Sequence, residues 1–452
     1  MKPVISFCVF SVFLFLLTPA FAGKGPKGGP SFTSYKWTEI KETEFSDFPA
    51  DLNHWEPRAG LKAAELHNHL FVIAGRTPDP TAENPFGSII HGDVWASGDL
   101  GKTWVELIED AESVGLWKKR AYFEAVTKGN YMYIMGGQNF ASVSVEPPFF
   151  EPVFTPSEFF KDVWRSADGV DWEMMTDDAE WAVPPLEPPC AQLPSQGRAG
   201  LSAVNFKGKL WVLGGSQGDD ASIGGGGPPP EFSEEPEDEC VIDRKLFNDV
   251  WYSDDGSEWH QATADAPWEA RAGGIAIVKG GWLYYMGGEK GFEGEDDYFN
   301  DVWRSKDGAN WELVTAAADW SKRPGHKCAV LANHFVCMGG FGALNPFFPD
   351  FDTNPSDIWV SKDGAEWEQV SSSPWNNDPS YTDCRQGPPS EWILPIFCDD
   401  VRYDFDMLTV KGGQGGMKPS IFTFGGDREI FVPIPGNEFR VENDVWRYSP
   451  KE

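Results

Sequence analysis

Short apolar runs separated by Gly, Asp and Asn recur along the chain, and their order repeats. Leu210-Trp211-Val212-Leu213 is one such run, of the length and β-forming composition of a buried strand. One block opens with Arg271 to Gly288 (RAGGIAIVKGGWLYYMGG) and, after a loop, continues as Asn300 to Thr315 (NDVWRSKDGANWELVT). Another opens with Arg198 to Gly215 (RAGLSAVNFKGKLWVLGG) and continues as Asn248 to Trp259 (NDVWYSDDGSEW). Each block predicts four short strands. The first two are joined by a tight turn, the third is a D-[VI]-W-x-S segment, and the fourth is of the W-E-x-V kind. Such self-similarity at a fixed period decides architecture before any single residue does.

The block occurs six times. Its leading arginines are Arg58, Arg120, Arg198, Arg271, Arg323 and Arg402, and its D-[VI]-W triplets end at Trp95, Trp164, Trp251, Trp303, Trp359 and Trp446. A glycine pair closes the second strand in five blocks, and Ala74-Gly75 stands there in the first. Asp-Gly turns of the form S-x-D-G-x-x-W join strands three and four, because glycine accepts the positive φ of a tight hairpin. Block six lacks a fourth strand. The segment from Ser34 to Ile40 (SYKWTEI) looks like a fourth strand without a blade, which predicts that it closes the ring at block six and removes an exposed edge.

The arginine lead, double glycine and later tryptophan resemble the kelch repeat of galactose-oxidase-like propellers, over Ser34 to Ser449. The resemblance implies an all-β, six-bladed kelch-type β-propeller spanning residues 34–450. Ser97 to Trp104 (SGDLGKTW) also matches the Asp-box hairpin of sialidase-like propellers, read here as a structural turn.

Ahead of the propeller, Lys2, an apolar run from Val4 to Leu17 and Ala20-Phe21-Ala22 read as a signal peptide over residues 1–22, followed by a flexible lead-in over 23–33. This predicts a secreted or periplasmic protein with no stable membrane insertion. The six cysteines beyond Cys8 are then expected as disulfides. Cys328 and Cys337 stand opposite each other about the turn at Ala332-Asn333 and are expected to pair. Cys190–Cys240 and Cys384–Cys398 follow as loop staples. With 37 Lys+Arg against 70 Asp+Glu, the net charge is −33, which repels nucleic acid and anionic membranes.

In a four-stranded blade, the 2–3 loops and the interblade connections share one face. Every long insertion falls there: 76–92, 138–161, 216–248, 289–300, 341–356 and 427–443. Recognition is expected on that face. The six arginines should ring the axis there, four of them preceded by Trp55, Trp117, Trp268 and Trp320 at fixed spacing. Arginine grips carboxylates and sulfates with paired hydrogen bonds, and tryptophan offers a flat apolar face to a sugar. The arrangement can also serve as blade cement. His326, the one histidine at its place in the kelch pattern, is a candidate base beside Arg323. The acidic runs at Glu231 to Glu239 and Glu293 to Asp297 read as solvated loop charge.

The expected function is a monomeric, non-enzymatic binding propeller for an extracellular glycan, anionic sugars included, or a protein. No metal site, cofactor or catalytic signature is expected. The alternative is a carbohydrate-active enzyme of mutarotase, lyase or oxidase type at the same face, since the resemblance extends to propellers with those activities.

Overall fold

The computed structural model describes residues 32–41, 54–78, 88–139, 142–145, 152–155, 157–182, 197–217, 245–291, 295–340, 357–372, 402–413, 416–427 and 441–451. They form six four-stranded antiparallel sheets arranged as a β-propeller. Blade 1 runs Lys62–Leu66, His69–Pro78, Ser88–Ser97 and Val105–Ile108, from axis to rim. Blades 2 to 5 repeat this order from Glu124–Lys128, Ser202–Phe206, Ile275–Lys279 and His326–Leu331. The innermost strands touch one another in sequence and close a circle, from Lys62–Leu66 round to Asp406–Val410.

Blade 6 takes its inner three strands from Asp406–Val410, Ser420–Asp427 and Val441–Pro450. Its outer strand is Tyr35–Lys41, paired antiparallel with Val441–Pro450 from Tyr35 opposite Pro450 to Lys41 opposite Val445. The expected closure is present. Its face is apolar: Trp37 and Tyr35 pack on Tyr448 with ring centroids 4.9 and 5.2 Å apart. The disulfide Cys328–Cys337 is present too, across directly opposed residues of blade 5 with Cα atoms 4.1 Å apart. The leader and Cys190, Cys240, Cys384 and Cys398 lie outside the described residues, as does the acidic run 231–239.

The expected loops are partly strand. In blade 1 the second and third strands continue past the glycine and pair as far as Pro78 opposite Ser88. Ser142–Val145 pairs with Pro152–Thr155, and Ser216–Gln217 with Lys245–Leu246. The hydrogen-bonding edges run on beyond the apolar blade core, where sequence alternation no longer marks them.

The glycine pair is a packing requirement. Gly136 and Gly137 have φ of 68° and 94°. A Cβ on Gly136 would come within 2.4 Å of the Leu201 side chain in the next blade, and one on Gly137 within 2.8 Å of the Ala121 carbonyl. Gly137 N–H donates to the Arg198 carbonyl of that next blade at 2.8 Å, and the same bond joins blades 3 to 4, 5 to 6 and 6 to 1.

A second set of bonds circles the axis. The residue two after each leading arginine is left-handed: Gly60, Tyr122, Gly200, Gly273, Gly325 and Asp404, with φ from 52° to 68°. Gly60 donates its N–H to the Asp404 carbonyl (2.8 Å), Tyr122 to Gly60 (3.1 Å), Gly200 to Tyr122 (3.0 Å), Gly273 to Gly200 (2.8 Å) and Asp404 to Gly325 (3.3 Å). Four of these residues are glycines, for which the conformation costs little.

Because Tyr35–Lys41 supplies the outer edge of blade 6, deletion of residues 23–42 is expected to lower the melting temperature sharply. An unchanged melting curve by circular dichroism would contradict the role of this strand.

Candidate functional site

Each leading arginine is buried, with 0 to 2% of its surface exposed. Its guanidinium grips the aspartate that opens the D-[VI]-W segment of the same blade. Arg120 Nη1 and Nη2 donate to Asp162 Oδ1 and Oδ2 at 2.8 Å each. The same two-pronged pairing joins Arg58 to Asp93, Arg198 to Asp249, Arg271 to Asp301, Arg323 to Asp357 and Arg402 to Asp444. Arg120 Nη1 also reaches the Gly136 carbonyl (3.0 Å) and Nε the Lys118 carbonyl (3.0 Å). The indole N–H of the triplet tryptophan completes the aspartate's shell, as Trp164 to Asp162 at 2.8 Å. Burial opposes ionisation of Asp93, Asp162 and Asp357, but the facing arginine and these hydrogen bonds outweigh it, and their pKa values lie below the usual carboxylate range.

The structure favours blade cement over ligand contact for these arginines: their paired Nη donors are engaged inside the blades, on the aspartate that opens the D-[VI]-W segment. The tryptophans are turned inward as well. Trp55, Trp117, Trp268 and Trp320 are buried and meet Trp104, Trp172, Trp311 and Trp367 edge to face, at centroid distances of 4.5 to 6.3 Å. His326 is also buried. Its Nδ1 lies 3.1 Å from the Arg323 carbonyl, and its ring packs on Trp320 and against Gly287 of the preceding blade. Burial, reinforced by Arg323, pushes its pKa down to about 3, so it stays neutral at physiological pH. The Asp-box hairpin is a turn device: Gly101 N–H donates to Ser97 Oγ (2.8 Å) and Trp104 Nε1 to the Gly101 carbonyl (3.1 Å).

The polar chemistry near the axis lies elsewhere. Tyr122 and Asp404 occupy the belt positions that are glycine in the other four blades, holding φ of 54° and 52°. A non-glycine residue held in this region stores strain, and such positions gather at functional sites. Tyr122 Oη donates to Asp404 Oδ2 at 2.9 Å and accepts from Arg76 Nε at 3.0 Å. Arg76 Nη2 donates to Asp427 Oδ2 at 2.6 Å. Arg76 and Asp427 directly follow the Gly75 and Gly426 positions, in the last part of the second strands of blades 1 and 6. The four side chains thus form one chain of bonds across blades 6, 1 and 2, at the end of the channel where the 2–3 loops depart. Tyr122 and Asp404 are half-buried, and the Tyr122 ring lies over Gly60, where an added Cβ would stand 3.4 Å from Cε1. Burial raises the pKa of both groups. For Asp404, Arg76 and Lys327 offset part of the rise.

One layer deeper, the position four after each arginine holds Lys62, Glu124, Ser202, Ile275, Lys327 and Asp406. Lys62 Nζ lies 2.8 Å from Glu124 and 3.8 Å from Asp406. Asp406 Oδ2 accepts the Ala63 N–H at 2.7 Å, and Ser202 Oγ the Ala276 N–H at 2.8 Å, so this layer also stitches blade to blade. At these two positions blades 1, 2, 5 and 6 carry the charge, whereas blades 3 and 4 present Gly200, Gly273, Ser202 and Ile275; blade 4 instead places the buried Glu289 at the position of Arg76 and Asp427. Sequence reasoning missed both layers. The signal was available as the departures from the repeat at fixed distances from the arginine.

No protein family and no curated protein sequence matches the chain. Among solved structures, it resembles one described as "Structure of YjhT", with a TM-score of 0.51 and 13% identity over 87% of this chain and 95% of that one. The likeness is one of fold: a six-bladed propeller.

If the arginines are structural, Arg271→Ala leaves Asp301 buried without its partner and is expected to destabilise the protein by about 3–5 kcal/mol in denaturant titration. A folded Arg271→Ala protein of native stability would contradict this. The depressed aspartates also set a pH dependence. Their folded pKa values lie below the ordinary 3.8, so their contribution is complete above that value and is lost as pH falls through the folded ones. The melting temperature is expected to fall below about pH 4 through this effect.

Proposed function

We propose that this protein is an exported binding propeller that recognises an extracellular glycan at the mouth of its axial channel, on the loop-rich face. The observation that carries the reading is the half-buried Tyr122–Asp404 pair, braced from behind by the buried Arg76 and Asp427. It presents a carboxyl and a phenol at positions that are glycine in the other four blades. A carboxylate accepts from sugar hydroxyls, and a tyrosine ring offers an apolar face to a pyranose. Export is supported by the leader-like residues 1–22 and by the Cys328–Cys337 bridge, which suits an oxidising compartment. No helix among the described residues is long and apolar enough to cross a membrane.

An enzymatic reading at the same mouth is favoured by one observation, the contact between Tyr122 and a carboxyl whose burial favours its protonated form. Such a pair can pass a proton to or from a bound sugar. Incubating a bound glycan with the protein and following it by NMR separates the readings: a binder returns it unchanged.

A glycan array with the mature protein supplies the ligand. Tyr122→Phe and Asp404→Asn are then expected to weaken binding about tenfold or more, since each removes a hydrogen bond involving a charged group. Lys209→Ala serves as control, because Lys209 pairs with Asp254 beside the turns of the opposite face. Folded mouth variants that bind as tightly as the control would end the proposal.

A further inference from the structure

The deeper layer of the channel contains an amine that the mouth does not use. Lys62 and Lys327 extend from the innermost strands of blades 1 and 5, and their amino groups interact with each other. Lys62 takes the carboxylates: Glu124 stands at 2.8 Å and Asp406 at 3.8 Å. Among the described residues no carboxylate oxygen lies within ion-pairing distance of Lys327, which is half-buried and reaches the channel from the position after His326. The charged groups facing it are Lys62 from blade 1, Glu124 from blade 2, and Asp404 and Asp406 from blade 6. One ammonium is thus neutralised and the other is crowded by it. A lysine beside a second cation, in a desolvated site, is the arrangement that turns an ammonium into a nucleophilic amine.

We propose that Lys327 is a carbonyl-reactive amine that captures a small aldehyde in the channel as a reversible imine. The lone pair of the Lys327 Nζ adds to the carbonyl carbon, forming a C–N bond while the carbonyl oxygen takes up a proton. The resulting carbinolamine loses that oxygen as water and the nitrogen loses its protons, so amine and aldehyde become imine and water with no change of oxidation state overall. Asp404, which faces Lys327 and whose burial favours the protonated carboxyl, is the group assigned to exchange those protons, while Glu124 stays paired with Lys62. Burial first, and Lys62 second, lower the Lys327 pKa, and Asp406, Glu124 and Asp404 offset only part of this, so the share of free amine is higher than for an exposed lysine. The aldehyde can be free or the open-chain form of a reducing sugar. The inference does not rest on the glycan reading, since trapping the imine requires no bound glycan.

The test is reductive trapping in the intact mature protein. Glycolaldehyde and cyanoborohydride at pH 7 convert an imine irreversibly to a secondary amine, which peptide mass spectrometry locates. Lys327 is expected to be modified at least about tenfold faster than exposed Lys102. Lys327→Arg should remove the fast site. Lys62→Met should slow Lys327 about tenfold at pH 7 and shift its reaction to higher pH, because Glu124 and Asp406 are then free to stabilise the ammonium. The pH profile of the unaltered protein is a second readout that needs no variant: Lys327 should reach half its maximal rate at lower pH than Lys102. Coincident profiles, or equal rates at the two lysines, would overturn the proposal. With a reducing aldohexose replacing glycolaldehyde, an adduct at Lys327 assigns the capture to open-chain sugar, and an adduct from glycolaldehyde alone assigns it to short free aldehydes.

Discussion

The structure hangs on a buried arginine repeated six times. Each one bonds to the aspartate of the third strand, most also reach a carbonyl at the end of the second, and in most blades the arginine's own carbonyl accepts the glycine N–H of the preceding blade. Arg198, for example, holds Asp249 and the Gly214 carbonyl while its carbonyl takes the Gly137 N–H. One residue therefore fixes the spacing of strands within a blade and the register between blades. Burying a guanidinium is costly unless its donors are met, and the paired aspartate oxygens meet them with matching geometry. The double glycine follows from this: only a backbone without side chains lets the next blade's arginine carbonyl approach so closely.

Much of the fold was legible because a repeated blade repeats its structural residues. The strands, the Asp-Gly turns, the Cys328–Cys337 bridge and the closing strand all followed from Arg, Gly-Gly and D-[VI]-W read as a pattern. The site was not legible for the same reason. What recurs in six blades is what holds six blades together, so Arg120 and Trp117 announced themselves loudly while serving the scaffold. Tyr122 and Asp404 interrupt the pattern quietly, as a bulky and an acidic residue where Gly60, Gly200, Gly273 and Gly325 stand. They lie 282 positions apart in the chain, and their hydrogen bond exists only because the ring brings blades 2 and 6 onto one axis. No local window contains it.

The interior of the channel differs in kind from the surface. The net charge is −33, yet the axis gathers Arg76, Lys62 and Lys327 among Asp404, Asp406, Asp427 and Glu124. Buried and half-buried charges facing one another are screened less by salt than surface pairs, so small changes of position or protonation there carry more energy than the same changes outside. The scaffold has near-sixfold symmetry, whereas the inner layers of its axis are lopsided: at the two positions two and four after the leading arginine, blades 3 and 4 carry no charge, although Glu289 of blade 4 stands buried at the level of Arg76 and Asp427.

The joining of Tyr35–Lys41 to Val441–Pro450 has a temporal side. During synthesis the amino-terminal strand emerges first and its partner nearly last, so it waits through the making of five blades. Contacts so distant in sequence form slowly, because the intervening chain must be ordered before its ends meet. Until then both strands are open edges, able to recruit a strand from another molecule. Loss of the Val441–Pro450 strand would leave Tyr35–Lys41 without its partner, so a single pairing at the seam governs whether the ring presents edges at all.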